Sequence, residues 1–480
     1  MERGLLFLAL LVPALALAQP TPCVDGFAGA YPCQNVDLLA QPTDRGATDI
    51  WGWTDPDTGT EYAIIFLSSR TTFFDLSDPT APVEIGSLSN NAGKDARVYA
   101  NHLFVVDDGG LPGMLVFDLT RLRDVANPPV VFEVDAVYDG ISRAHNLTLD
   151  TESGFAFPVL PGGGLCSSEL HIVDVRDPVN PTFAGCYDRP RFDAFHDAHC
   201  ITYDGPDTEY AGRELCFGSA GTDGVIEIVD VTDKANPQSL SSAPYPNAAY
   251  THQGWLTEDS RYFLMNDEFD EGTFGFNTRT LVFDVSDLDE PEFAFAYEAE
   301  TAATDHNLFV KGDYAYQANY GAGFRMLDLS EIDSGTLTEV AFFDTSPEGV
   351  NGALWGVYPF FESGIVIASD RSRGLFVFQP TVGQTLDTEA APQSGIALAA
   401  YPNPFASRAT VALTVGAAQQ VTVAVYDVLG REVAVLYDGL VGAGEERAFS
   451  LDGAGLPTGA YLVRATGETF RATQALTLVR

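Results

Sequence analysis

One hydrophobic run returns seven times along the chain: Thr72-Phe73-Phe74-Asp75-Leu76, Leu115-Val116-Phe117-Asp118-Leu119, Leu170-His171-Ile172-Val173-Asp174, Ile226-Glu227-Ile228-Val229-Asp230, Leu281-Val282-Phe283-Asp284-Val285, Arg325-Met326-Leu327-Asp328-Leu329 and, without the aspartate, Leu375-Phe376-Val377-Phe378-Gln379. β-Branched and aromatic residues dominate these runs, which favours strand over helix. Successive aspartates lie 43, 56, 56, 54 and 44 residues apart, and Gln379 follows Asp328 by 51, the period of a four-stranded blade. After most copies a turn around Pro82, Pro181, Pro237 or Pro291 starts another strand, so the run is read as the third strand of each blade. A single such sheet leaves both faces exposed, whereas seven stacked in a ring cover them and leave few open edges. The fold class predicted is all-β, with a seven-bladed β-propeller over residues 46–381. The recurring aspartate is assigned to the turn after it, where a carboxylate accepts backbone N–H bonds.

The pattern changes near the C-terminus. The stretch 382–396 is polar and turn-rich, a linker, and residues 397–480 hold six Arg against seven Asp and Glu, close to neutral. Alternating runs such as Gln420-Val421-Thr422-Val423-Ala424-Val425-Tyr426 and Ala460-Tyr461-Leu462-Val463-Arg464 predict a small immunoglobulin-like β-sandwich over 397–480. At the other end, Glu2-Arg3 precedes an apolar run from Leu5 that closes on Ala16-Leu17-Ala18, the layout of a signal peptide over residues 1–18. The run is too short to span a bilayer, so no transmembrane segment is expected in the mature chain. An N-terminal cysteine-containing segment, residues 19–45, follows.

Export makes disulfides the default for the six cysteines, and pairing each with its neighbour (Cys23 with Cys33, Cys166 with Cys186, Cys200 with Cys216) is one of the 15 pairings open. The whole chain carries 25 Lys and Arg against 67 Asp and Glu, a net charge of −42. Such a surface repels a phosphate backbone, which excludes nucleic acid as a partner.

Two resemblances follow from particular residues. Tyr401-Pro402-Asn403-Pro404-Phe405, Val425-Tyr426-Asp427-Val428-Leu429-Gly430-Arg431 and Leu456-Pro457-Thr458-Gly459-Ala460-Tyr461 resemble the type A sorting domain of the type IX secretion system. That likeness implies engagement of the type IX secretion machinery and release from, or attachment to, the outer cell surface. The segments Cys23-Val24-Asp25-Gly26-Phe27, Tyr250-Thr251-His252-Gln253-Gly254-Trp255 and Thr304-Asp305-His306-Asn307-Leu308 resemble the choice-of-anchor B family, whose members carry LVIVD-type repeats. The family implies a secreted or surface-displayed propeller and supplies no settled activity.

In a propeller, the first strand of each blade lines the central channel, and its start shares a face with the loop between strands two and three. Reading those strand starts gives Asp95, Arg97, His145, Asn146, His199, His252 and His306; the loops add Asp107, Asp108, Asp267, Glu268, Asn319, Tyr320, Asp370 and Arg371. His145, His199, His252 and His306 are the candidate metal ligands, since imidazole nitrogen beside carboxylate oxygen suits zinc, manganese or iron. The other eleven are candidates for a polar ligand. His102, His171 and His196 are set aside, and the acidic loop Asp267, Glu268, Asp270, Glu271 is read as solvated because it lacks EF-hand spacing. The alternative to any site is a histidine-filled channel mouth that only packs the blades together.

No GxSxG, HExxH or P-loop pattern occurs, which removes the serine-hydrolase, zincin and nucleotide-binding readings. The function expected is an exported propeller that binds a ligand or protein partner at its histidine-lined rim. The second reading is a secreted metal-dependent enzyme of hydrolase type, in which the four histidines hold a divalent cation and Asp267 or Glu268 acts as general base.

Overall fold

The computed structural model describes residues 20–68, 70–89, 93–109, 112–166, 169–188, 194–347, 353–382, 397–403, 405–427, 432–467 and 471–479. The expected signal peptide and most of the linker lie outside these residues. The chain divides into two compact units, Met1–Val382 and Gly383–Arg480.

Among the described residues of the first unit there are seven sheets, each with four strands in meander order at its heart. The innermost strands are Ala47–Thr54, Asp95–Tyr99, Asn146–Asp150, Asp197–Thr202, Thr251–Leu256, Asn307–Lys311 and Leu354–Tyr358. Each neighbours the next, and the last returns to the first, so the sheets form a closed ring, a β-propeller. Burial follows from that stacking: Glu61–Leu67, Glu214–Ser219 and Tyr262–Asp267, all second strands, are buried almost throughout, whereas the outer strand Glu292–Glu298 alternates exposed and half-buried positions.

The repeated run is the third strand of every sheet, as its pattern predicts. Its aspartate caps the following turn in all six cases. Asp75, Asp118, Asp174, Asp230, Asp284 and Asp328 each accept the backbone N–H two residues on, at 2.7, 2.9, 3.1, 2.9, 2.9 and 2.8 Å. In five of the sheets the pairing of strands three and four slips by one residue just before that aspartate, between Phe73 and Phe74, Ile172 and Val173, Ile228 and Val229, Val282 and Phe283, and Met326 and Leu327. A bulge at one fixed place bends each outer strand alike, which lets the sheets repeat around the ring.

Two pairings have no counterpart in the local pattern. Val36–Ala40, from the N-terminal segment, is the outer strand of the seventh sheet and pairs with Gly374–Pro380, which joins the two ends of the ring. Val130–Phe132 leaves the second sheet and pairs in parallel with Val83–Leu88 of the first, while Ala136–Tyr138 completes the second.

The cysteines pair as 23–33, 166–186 and 200–216. The second unit is a β-sandwich: Ala397–Tyr401, Arg408–Thr414 and Glu446–Asp452 form one sheet, and Gln419–Asp427, Glu432–Val441, Gly459–Gly467 and Arg471–Leu478 the other. Val411, Leu413, Val423 and Val463 from both sheets share its core.

Candidate functional site at the channel mouth

Where five of the inner strands begin, the chain repeats a charged or imidazole residue followed by a polar one: Lys94-Asp95, His145-Asn146, His196-Asp197, His252-Gln253 and His306-Asn307. Ring closure brings all ten to a cavity of about 170 Å³, which Asp49, Arg97, Glu268, Phe309 and Trp355 also line. The imidazoles follow one another around the mouth, with ring centres 4.6 Å apart for His145 and His196, 4.1 Å for His196 and His252, and 4.7 Å for His252 and His306.

Three of these rings are fixed in one tautomer. Nδ1 of His196 lies 3.0 Å from the His252 carbonyl, Nδ1 of His252 lies 2.8 Å from the His306 carbonyl, and Nδ1 of His306 lies 2.7 Å from the Trp355 carbonyl. A carbonyl only accepts, so each Nδ1 carries the proton and each Nε2 keeps its lone pair. Burial pushes the pKa of His196 and His252 well below the ordinary histidine value and that of His306 down to about 3, so the rings stay neutral. Asn146 and Asn307 donate side-chain N–H bonds to the His196 and Trp355 carbonyls, fastening adjoining inner strands.

Glu268 closes the arrangement from the loop after Tyr262–Asp267. Its Oε2 lies 3.5 Å from His252 Nε2, and its Oε1 accepts from the Tyr320 hydroxyl at 2.6 Å. One ligand atom from each of His252, Glu268 and His306 falls within 4.8 Å of the others, a spacing that a single cation can bridge. Tyr320 stacks on His306 with ring centres 4.4 Å apart, and the Arg371 guanidinium lies 5.1 Å over Trp355. On the opposite side, His145 lies 2.7 Å from both Lys94 and Asp108, which also pair with each other at 2.9 Å.

Deeper in the channel, Asp95 accepts from Arg97 and from the Leu147 amide, while Arg97 covers Trp51 at 4.2 Å. Burial raises the carboxyl pKa of Asp197 to about 7 and that of Asp49 well above the usual range, with Asp95 adding to both.

Of the sequence-predicted residues, the cavity therefore gathers Asp95, Arg97, His145, Asn146, His252, Glu268 and His306, with Asp108, Tyr320 and Arg371 at its edge. Others serve the fold. Asp267 is buried and accepts from the Tyr245 hydroxyl and the Ala249 and Tyr250 amides, each at 2.7 Å. Asp370 caps the Ser372 and Arg373 amides and holds Thr345. Asp107 accepts from the Gly109 amide, and Asn319 donates to Gln317. The acidic loop is not solvated as expected: Asp267 and Asp270 have no exposed surface, because the loop folds under the entry to the sixth inner strand.

His199 is not at the mouth. It lies three residues along the inner strand from His196, buried, with its ring 3.7 Å from that of Trp255. The histidine equivalent to His145, His252 and His306 is His196. The signal in the sequence is the residue after it: Asn146, Asp197, Gln253 and Asn307 are all polar, whereas Cys200 after His199 is not.

Burial takes His199 down to about 3, against 6.5 for a free histidine. Between those values the unfolded chain binds a proton that the folded chain lacks, so this histidine's stabilising contribution is complete above pH 6.5 and is lost as the pH falls towards 3. From pH 7 to 4.5 the loss amounts to about 2 to 3 kcal/mol. Asp197, with its raised pKa, acts in the opposite sense over the same range, so the measurement is a comparison. In denaturant unfolding, His199→Gln is expected to lose less stability than the wild type by that amount; identical pH dependence would contradict a buried neutral imidazole.

Among known protein families, a secretion system C-terminal sorting domain matches residues 399–478, and the LVIVD repeat matches residues 166–189 and 305–342. No curated protein matches the chain. Among solved structures, the β-propeller domain of Cps50 (Swd1) from Myceliophteria thermophila is similar at 11% identity and a TM-score of 0.47, covering 72% of this chain and 99% of that one. The periplasmic gluconolactonase PpgL of Pseudomonas aeruginosa is similar at 13% identity and a TM-score of 0.44, covering 63% and 89%. No helix among the described residues is long and apolar enough to cross a membrane. The chain thus carries LVIVD repeats in a β-propeller and a type IX secretion sorting domain, and it is a secreted or outer-surface protein that engages that machinery.

Proposed function

We propose that this exported propeller binds a divalent transition metal, of which zinc is the best fit, through His252, His306 and Glu268, and takes a polar ligand at the same channel mouth. The observation that carries the reading is the row of Nδ1–H to carbonyl bonds, which leaves neutral Nε2 lone pairs beside a carboxylate. Backbone carbonyls that orient ligating imidazoles in this way are a recurring feature of metal sites. Two nitrogens and one oxygen suit zinc and leave a coordination position for a ligand or water. Arg371 and Lys94, the latter paired with Asp108 at 2.9 Å, lie near the same opening and favour the charged form of Glu268, the form that binds a cation.

A second reading, metal-dependent hydrolysis, is favoured by the coordination position that two nitrogens and one oxygen leave open, where a bound cation would supply Lewis-acid chemistry to a substrate. Zinc titration of chelator-treated mature protein tests the binding reading: one equivalent is expected, with Glu268→Gln weakening it by about tenfold or more. Absence of a stoichiometric site would remove both readings.

A further inference from the structure

From a second cluster beneath that mouth, we infer that the propeller carries a calcium site formed by Asp270, Glu271 and Asp305. Asp270 and Glu271 open the short helix Asp270–Phe274, and Asp305 lies just before the inner strand Asn307–Lys311. One carboxylate oxygen from each falls within 4.8 Å of the other two. Asp270 and Asp305 have no exposed surface at all.

The oxygens divide into tethered and free. Asp270 Oδ2 accepts from the Arg279 guanidinium, and Glu271 Oε1 accepts from the Asp305 amide at 3.0 Å. Asp270 Oδ1, Glu271 Oε2 and both oxygens of Asp305 are buried without a well-formed hydrogen bond, the Arg279 amide making only a weak approach to Asp305. Buried carboxylate oxygens are ordinarily satisfied, and four of them on three carboxylates this close together, with the Arg279 guanidinium bonded to one of the three, call for a cation. An oxygen-only donor set selects a hard ion over zinc. Calcium, which accepts mixed one- and two-oxygen binding from carboxylates, fits three side chains arriving from two separate segments better than magnesium with its strict octahedron.

The site would tie the loop that carries Glu268 to the segment that carries His306, so calcium would hold both flanks of the channel mouth. It does not depend on the zinc reading. The test is calcium titration of chelator-treated mature protein by calorimetry, together with thermal unfolding in calcium, magnesium and sodium chloride at matched ionic strength. One equivalent is expected with a dissociation constant of about 10⁻⁴ M or tighter, and a rise in Tm of several degrees specific to calcium. Asp305→Asn and Glu271→Gln are each expected to weaken binding by about tenfold or more and to remove the calcium-specific shift, while Glu152→Gln, at an exposed turn of the third sheet, retains both. The two variants guard against a single misfolded one. If wild type and both variants respond alike, or calcium acts no differently from magnesium, the ion is only screening the acidic surface and the site is overturned.

Discussion

A mature chain lacking residues 20–40 is expected to lose the cooperative thermal unfolding of the propeller. Val36–Ala40 is the outer strand of the seventh sheet, and without it Gly374–Pro380 presents an open edge. Tyr31–Gln34 pairs with Thr338–Phe343 of the sixth sheet, so the same truncation exposes two neighbouring sheets. Ala28, Cys33 and Val36 also share a core with Phe343, Phe376 and Phe378, all buried. Each large apolar side chain uncovered costs about 1.5 to 3 kcal/mol, so the total reaches about 5 kcal/mol or more, comparable with the whole stability of a typical domain. Differential scanning calorimetry reads the result directly. A transition within a few degrees of wild type would mean that the ring does not depend on its N-terminal strand.

The second large effect concerns the proposed metal. His252→Ala and His306→Ala are each expected to lower zinc affinity by about 100-fold or more, since loss of a directly bonded ligand exceeds the 10- to 100-fold typical of residues one shell out. His199→Ala is expected to leave it within about twofold, because that ring lies against Trp255 and away from the cavity. Competition with a chromophoric chelator measures all three. Equal losses in all three variants would point to a general disturbance of the ring, and no loss in any would remove the site.

Much of the propeller is legible in the sequence because its third strands repeat a pattern of period two that ends on the same turn-capping aspartate. Asp75 to Asp328 announce six sheets by a local device, and Leu375–Phe378 adds the seventh through hydrophobicity alone. Strands joined only in space leave no such mark. The pairing of Leu38 with Phe378 links residues from opposite ends of the unit, and the parallel strand Val130–Phe132 crosses between sheets. The candidate site is half legible for a related reason. His145, His252 and His306 are aligned by the strands that follow them, but in the fourth sheet two histidines three residues apart compete, and the polar residue after His196 decides between them. Asp267 and Asp370 are chemically suited to a site, yet each is consumed by backbone amides of its own loop. The acidic loop reads as solvated because sequence does not reveal that Asp305, more than thirty residues on, folds over it.

The most direct test is the anomalous scattering of crystals of the mature protein grown with zinc, recorded at the zinc edge. One peak is predicted at the channel mouth, about 2.0 to 2.2 Å from Nε2 of His252, Nε2 of His306 and an oxygen of Glu268. A mouth without a peak, with those two Nε2 atoms bonded to water or to protein donors instead, would contradict it.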